Sequence, residues 1–136
     1  MASGLFDNGR NRFARGDTKW LASGGSTFYG ALIDTGVTVP NLTSHSVMTS
    51  LRTAVVGTDT ALTTADPDGA GACDATDLVF TSVTGASVEG VCLFHEVSAA
   101  DASRYLVAWL EFTAVTPNGG NITIQWAAAT PFVFKL

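Results

Sequence analysis

What this chain has least of is charge. Asp, Glu, Lys and Arg together make up 14% of its 136 residues, against roughly a quarter in ordinary soluble domains. A surface so thinly charged relies on Ser and Thr hydroxyls for solubility, or is partly covered by a partner. The charge that is present is one-sided, a net −5, which argues against nucleic acid as the main partner. There are only two cysteines, Cys73 and Cys92, with neither CxxC nor His spacing around them. That excludes a disulfide framework or a zinc site readable from spacing. Free thiols are the simpler reading, with Cys92 a buried small hydrophobe, although pairing stays open. No apolar run approaches the ~18–20 residues of a membrane span, and the opening Met1-Ala2-Ser3-Gly4 lacks the order of a signal peptide. The expectation is a soluble chain made in the cytoplasm, with no membrane partner.

What is present is strand. Residues 88–97 and 105–112 are apolar on both period-2 faces, as expected of central strands covered on each side. Ile122, Ile124 and Trp126 alternate with Thr123 and Gln125, the pattern of a half-buried strand. Between them Pro117, Asn118, Gly119 and Gly120 supply turn chemistry. Further strands are expected at 27–34, from Thr53 onward, at 78–80 and at the C-terminus, where Phe132, Phe134 and Leu136 share one face. A short helix is expected near Val47, Met48 and Leu51, capped by Asn41 or Thr43. The loop Asp66-Pro67-Asp68-Gly69 forbids regular structure. About seven or eight short antiparallel strands with turn signals between them predict an all-β sandwich, jelly-roll-like or Ig-like. At this length one domain is the simplest expectation.

Residues 1–25 stand apart. Residues 1–20 carry Arg10, Arg12, Arg15 and Lys19 against Asp7 and Asp17, a net of +2, whereas residues 21–136 carry three basic residues against ten acids, a net of −7. A basic arm on an acidic body is a recognisable arrangement. Its few apolar residues have no helical or strand period, and it ends in Ala22-Ser23-Gly24-Gly25, a flexible joint. The expectation is an extended N-terminal docking arm (1–25) on a β-sandwich domain (26–136). Its anchors on a neighbouring protein would be Phe6, Phe13 and Trp20, with Arg10, Arg12 and Arg15 pairing with acids there. Deleting residues 1–20 should then leave a folded domain.

Catalytic chemistry has no foothold in the pattern. His45 and His95 lack a converging nucleophile and acid, and no Gly-x-Ser-x-Gly elbow is present. Both read as structural polar residues, and no catalytic, cofactor-binding or metal-binding residue is assigned. Asp66, Asp68, Asp74 and Asp77 cluster without the spacing of a calcium loop. Arg15-Gly16-Asp17 spells an adhesion tripeptide but reads as a turn with glycine at its bend. The sequons at Asn41 and Asn121 read as chance. Trp20, Trp109, Trp126, Phe132 and Phe134 could stack sugars or bases, yet core is the default for residues alternating on strands.

Three stretches in order resemble a family of small virion structural proteins of tailed bacteriophages. They are Ala14-Arg15-Gly16-Asp17-Thr18-Lys19-Trp20, then Asp74-Ala75-Thr76-Asp77-Leu78-Val79-Phe80, and finally Asn118-Gly119-Gly120-Asn121-Ile122-Thr123-Ile124-Gln125-Trp126. The strands 91–96 and 106–112 fit the family between the last two, and residues 37–68 have no counterpart in it. The resemblance implies a non-enzymatic capsid decoration or cement protein. It would bind the major capsid protein or another virion protein from outside the head shell and form a homo-oligomer, a trimer being favoured. A neck, tail or baseplate component is the alternative, and a receptor- or glycan-binding module a third. The family brings no active site to carry over.

Overall fold

The computed structural model describes residues 3–126 and 133–135. Its centre is an antiparallel sheet of β1 (Gly4–Leu5), β7 (Arg104–Val115), β6 (Val88–Glu96), β2 (Phe28–Ile33) and β3 (Val55–Leu62), in that spatial order. Two small ladders lie beside it: β4 (Ala72–Cys73) pairs with β9 (Phe134–Lys135), and β5 (Leu78–Phe80) pairs with β8 (Ile122–Ile124). The architecture is an all-β sandwich.

The doubly apolar pattern of β6 has its cause in two cores. Val91 and Leu93 enter a cluster with Phe28, Leu32, Leu78, Phe80 and Phe134. Cys92 and Phe94 enter another with Ala31, Ile33, Met48, Leu51 and Trp109. Strand alternation sends successive side chains to opposite faces, so a sheet covered on both sides must be apolar at every position. The small ladders cover the first face, and residues 34–54 cover the second. Two glycines make room, Gly30 for a covering ladder and Gly90 for a ring on the neighbouring strand. A Cβ on Gly30 would stand 2.6 Å from Leu78 Cδ1, and one on Gly90 would stand 2.3 Å from the Trp109 ring. Cys73 and Cys92 are both free and buried.

The helix is not where the pattern put it. Residues near Val47 form two 3-10 turns, Met48–Ser50 and Arg52–Ala54, whose apolar side chains Met48, Leu51 and Ala54 plug the second core. The α-helix is α1 (Asp7–Arg15), inside the segment read as an extended arm. Gly9, Asn8 and Asn11 are poor helix formers, and Phe6 at the N-cap offers no side-chain bond. The helix ends in a left-handed Gly16 (φ +79°), whose N–H bonds to Phe13 O at 3.1 Å while Asp17 N–H bonds to Arg12 O at 2.9 Å. Its stability comes from packing rather than propensity.

That packing uses a bulge. Leu93 pairs with Ala108 and Phe94 with Leu106, so Val107 is an extra residue in β7. Its carbonyl accepts the Phe6 N–H at 3.0 Å. Gly9 lies so near that a Cβ there would be 2.8 Å from Val107 O and 3.0 Å from Leu106 O. The described part of residues 1–25 is therefore not a separate extended arm. From Gly4 to Trp20 it completes the sandwich, with Leu5, Phe6 and Trp20 all buried.

Candidate functional site

The residues expected to anchor the chain to a neighbour anchor it to itself. Phe6 is 0% exposed in the second core, and Trp20 is 3% exposed in the first. Trp20 lies 4.6 Å from the Phe28 ring and 4.9 Å edge-on from Phe134, and its Nε1–H donates to Asp74 O at 2.9 Å. Phe13 is half-buried, 5.9 Å from Phe134. Arg12 sets its guanidinium 3.7 Å over the Tyr105 ring and donates from Nε to Thr18 Oγ1 at 3.2 Å. Arg10 pairs with Asp7 at 3.1 Å and Arg15 with Asp17 at 2.7 Å, both pairs in solvent. The correction has a simple cause: apolar residues without local periodicity can still be buried when another element supplies the face. The Arg-Gly-Asp triplet is the turn that ends α1, with glycine at its bend.

Thr18 and His95 form the buried polar point of this contact, Oγ1 to Nδ1 at 3.0 Å. Burial, and then the Arg12 charge, holds the imidazole below its usual pKa. His45 accepts the Asn41 N–H at 3.1 Å within a loop. The acidic cluster serves backbone. Asp66 accepts the Ala22 N–H, Asp68 those of Ala70 and Ala72, and Asp77 that of Trp126. Asn41 and Asn121, the sequon asparagines, likewise cap turn N–H groups. Among the described residues no three metal-ligating side chains converge, and no helix is long and apolar enough to cross a membrane. Of the aromatic residues, Trp109 and Phe134 are buried with Trp20, and Trp126 is half-buried with its Nε1–H on Thr76 O at 2.9 Å. Phe132 lies outside the described residues.

The most concentrated charge was not marked by any motif. Asp59, Arg52, Asp101, Arg104 and Glu96 form a continuous ladder. Arg52 holds Asp59 through two parallel bonds of 2.9 Å and Asp101 through bonds of 2.8 and 2.9 Å. Arg104 then holds Asp101 at 2.8 Å and Glu96 at 2.7 Å. It ties β3 to the turn Arg52–Ala54 and to the turn Asp101–Ser103 between β6 and β7. Arg52 is raised above its ordinary pKa, chiefly by Asp59, and Asp101 is held below the carboxylate range, first by Arg52 and then by Arg104. An open cleft of about 540 Å³, lined by Tyr29, Thr58 and members of the ladder, lies alongside. Every charge in the ladder is already paired, so its first effect is to brace the loops that frame the cleft. In the sequence the sole hint was that Arg52 and Arg104 are two of just three basic residues after position 20.

The three motif stretches meet in space. The backbone at Asp74 and Thr76 receives the indole N–H groups of Trp20 and Trp126. Leu78, Val79 and Phe80 pair with Ile124, Thr123 and Ile122. These stretches thus build one corner of the sandwich, where the C-terminal ladders fold over the N-terminal segment. Comparison with family models, with curated proteins and with solved structures gives no match.

Proposed function

We propose that this protein is a non-enzymatic structural component of a tailed-bacteriophage virion, a decoration or cement protein that binds the outside of the head shell. The observation that carries the proposal is the ordered set of motifs at 14–20, 74–80 and 118–126, which come together at a single corner of the fold.

The mechanical route changes with the structure. Because the segment up to Trp20 is packed into its own sandwich, binding would use the folded surface. That surface is poor in charge and presents Val37 and Val39, both more than half exposed, in the loop after β2, and Val97 after β6. A preformed surface loses less conformational entropy on docking than an arm that must order. Many copies, acting as a homo-oligomer with a trimer favoured, would raise the free energy of separating shell subunits by mass action. The partner would be the major capsid protein or another virion protein, and the site of residence the virion.

Quantitative mass spectrometry of purified particles, relative to the major shell protein, tests this. Hundreds of copies per particle are expected. A dozen or fewer would move the protein to the neck, tail or baseplate, and absence from particles would refute the virion role altogether.

A further inference from the structure

We infer that His95 is a pH-sensitive latch for the N-terminal segment, and that taking up a proton locally undocks residues 12–20 from the sheet. The inference does not depend on the virion role. It rests on a chain of contacts, Arg12 to Thr18 to His95, buried at Thr18 and His95, that leaves the Arg12 cation one hydroxyl away from the imidazole. Arginine has donors and no acceptor, so Thr18 Oγ1 must accept from Arg12 Nε at 3.2 Å. The threonine hydroxyl proton is then directed to His95 Nδ1, 3.0 Å away. No other acceptor lies within reach of that hydroxyl among the described residues, so the arrangement that satisfies it leaves Nδ1 bare and the ring neutral with its hydrogen on Nε2.

A proton added to His95 goes to that same Nδ1. Nδ1–H must then donate to Thr18 Oγ1, which turns the threonine hydroxyl proton away from its acceptor, and Thr18, 3% exposed, has little access to water for that proton. The new positive charge also stands beside Arg12, which the Tyr105 ring holds in place from beneath. The other elements offer no relief. From β2 the ring meets Phe28 at 5.7 Å, and from β7 its register partner is Tyr105. Glu96, next along β6, is taken by Arg104, and Asp17 by Arg15. Burial and Arg12 lower the imidazole pKa in the docked state, in the same direction as the geometry.

The sign follows. A histidine whose docked pKa is lowered binds fewer protons docked than free, so docking is strongest above about 6.5 and weakens as pH falls below it. The loss levels off beneath the lowered value. Within that window the opening equilibrium should rise by up to about tenfold per pH unit.

Hydrogen exchange on the intact chain at pH 7.5 and 5.5, corrected for intrinsic exchange rates, reads this directly. The amides of Gly16, Asp17 and Thr18, bonded to Phe13 O and Arg12 O, should open more often at the lower pH, by up to about tenfold, while β6 amides keep their protection. In His95→Asn the side-chain oxygen can still accept from Thr18 but cannot gain a proton, and the pH response should vanish. An equal response in that variant, a uniform loss of protection across β6 and β7, or no response in the wild type would each overturn the latch. NMR titration of His95 in the wild-type chain keeps the test decisive should the variant not fold. A His95 titration at or above the ordinary value with the segment docked refutes the inference.

Discussion

Phe6→Ala separates a folded N-terminal segment from a free one more sharply than any other single change. The ring is 0% exposed, in one core with Trp109, Phe94 and Met48, and its own N–H closes the β7 bulge. Truncation loses the transfer free energy of the ring and leaves a void that the helix cannot fill, because Gly9 already touches backbone. Phe→Ala changes in such settings cost about 3–5 kcal/mol, a large part of the ~5–15 kcal/mol that holds a domain of this kind together. With a urea slope near ~2 kcal/mol per molar, the midpoint should fall by roughly 1.5–2.5 M. The assay is urea denaturation followed by tryptophan fluorescence and far-UV circular dichroism, with Arg10→Ala as control. Arg10 is solvent-exposed in its pair with Asp7, so its loss should stay within about 0.5 kcal/mol. A Phe6→Ala midpoint within ~0.3 M of wild type would refute the packing described here, since an exposed anchor is the residue that could be lost so cheaply.

Gly9→Ala should destabilise by about 1–3 kcal/mol although alanine is the better helix former by about 1 kcal/mol, because the added carbon meets Val107 O at 2.8 Å; a stabilised variant in thermal denaturation would contradict the close approach. Arg52→Ala leaves Asp59 and Asp101 without their main partner and should cost on the order of 1–3 kcal/mol by urea denaturation. Because the folded Asp101 pKa is lowered from 3.8, mainly by Arg52, its contribution is complete above that value and disappears as pH falls through the lower folded one. The Arg52→Ala variant should accordingly lose less stability than wild type between pH 5 and 2, and parallel pH profiles would contradict the ladder. Neither thiol should react with a disulfide reagent at pH 8 in the native state, since both are buried and burial pushes Cys73 up to about 11 and Cys92 higher still. Two thiols should titrate in denaturant, and rapid native modification would show that either core is open.

Deleting residues 1–20, which the composition suggested would leave a folded domain, should now unfold it. The reason shows where sequence reading runs out. Phe6, Phe13 and Trp20 have no common period because they do not share one face: Phe6 enters the second core, Phe13 and Trp20 the first. Periodicity detects a helix or strand that buries one continuous face. It is blind to a segment that crosses from one face of a sheet to the other. The same limit hid the charge ladder, whose members Arg52 and Asp101 are 49 positions apart, and the Thr18–His95 contact, spanning 77. The histidine itself was visible as a polar residue in an apolar strand, and in the fold it is buried against Thr18. What it binds was not visible.

By itself the amino-acid order determined the longer strands and the class of fold. Side-chain alternation, β-branched and aromatic runs and turn residues act over a few positions, so β6, β7 and β8 could be read directly. Only the tertiary structure decided what covers those strands. Burial depends on which distant residues arrive at a face, and here a bulge at Val107 and a missing side chain at Gly9 admit α1. That approach turned an apparent arm into part of the core.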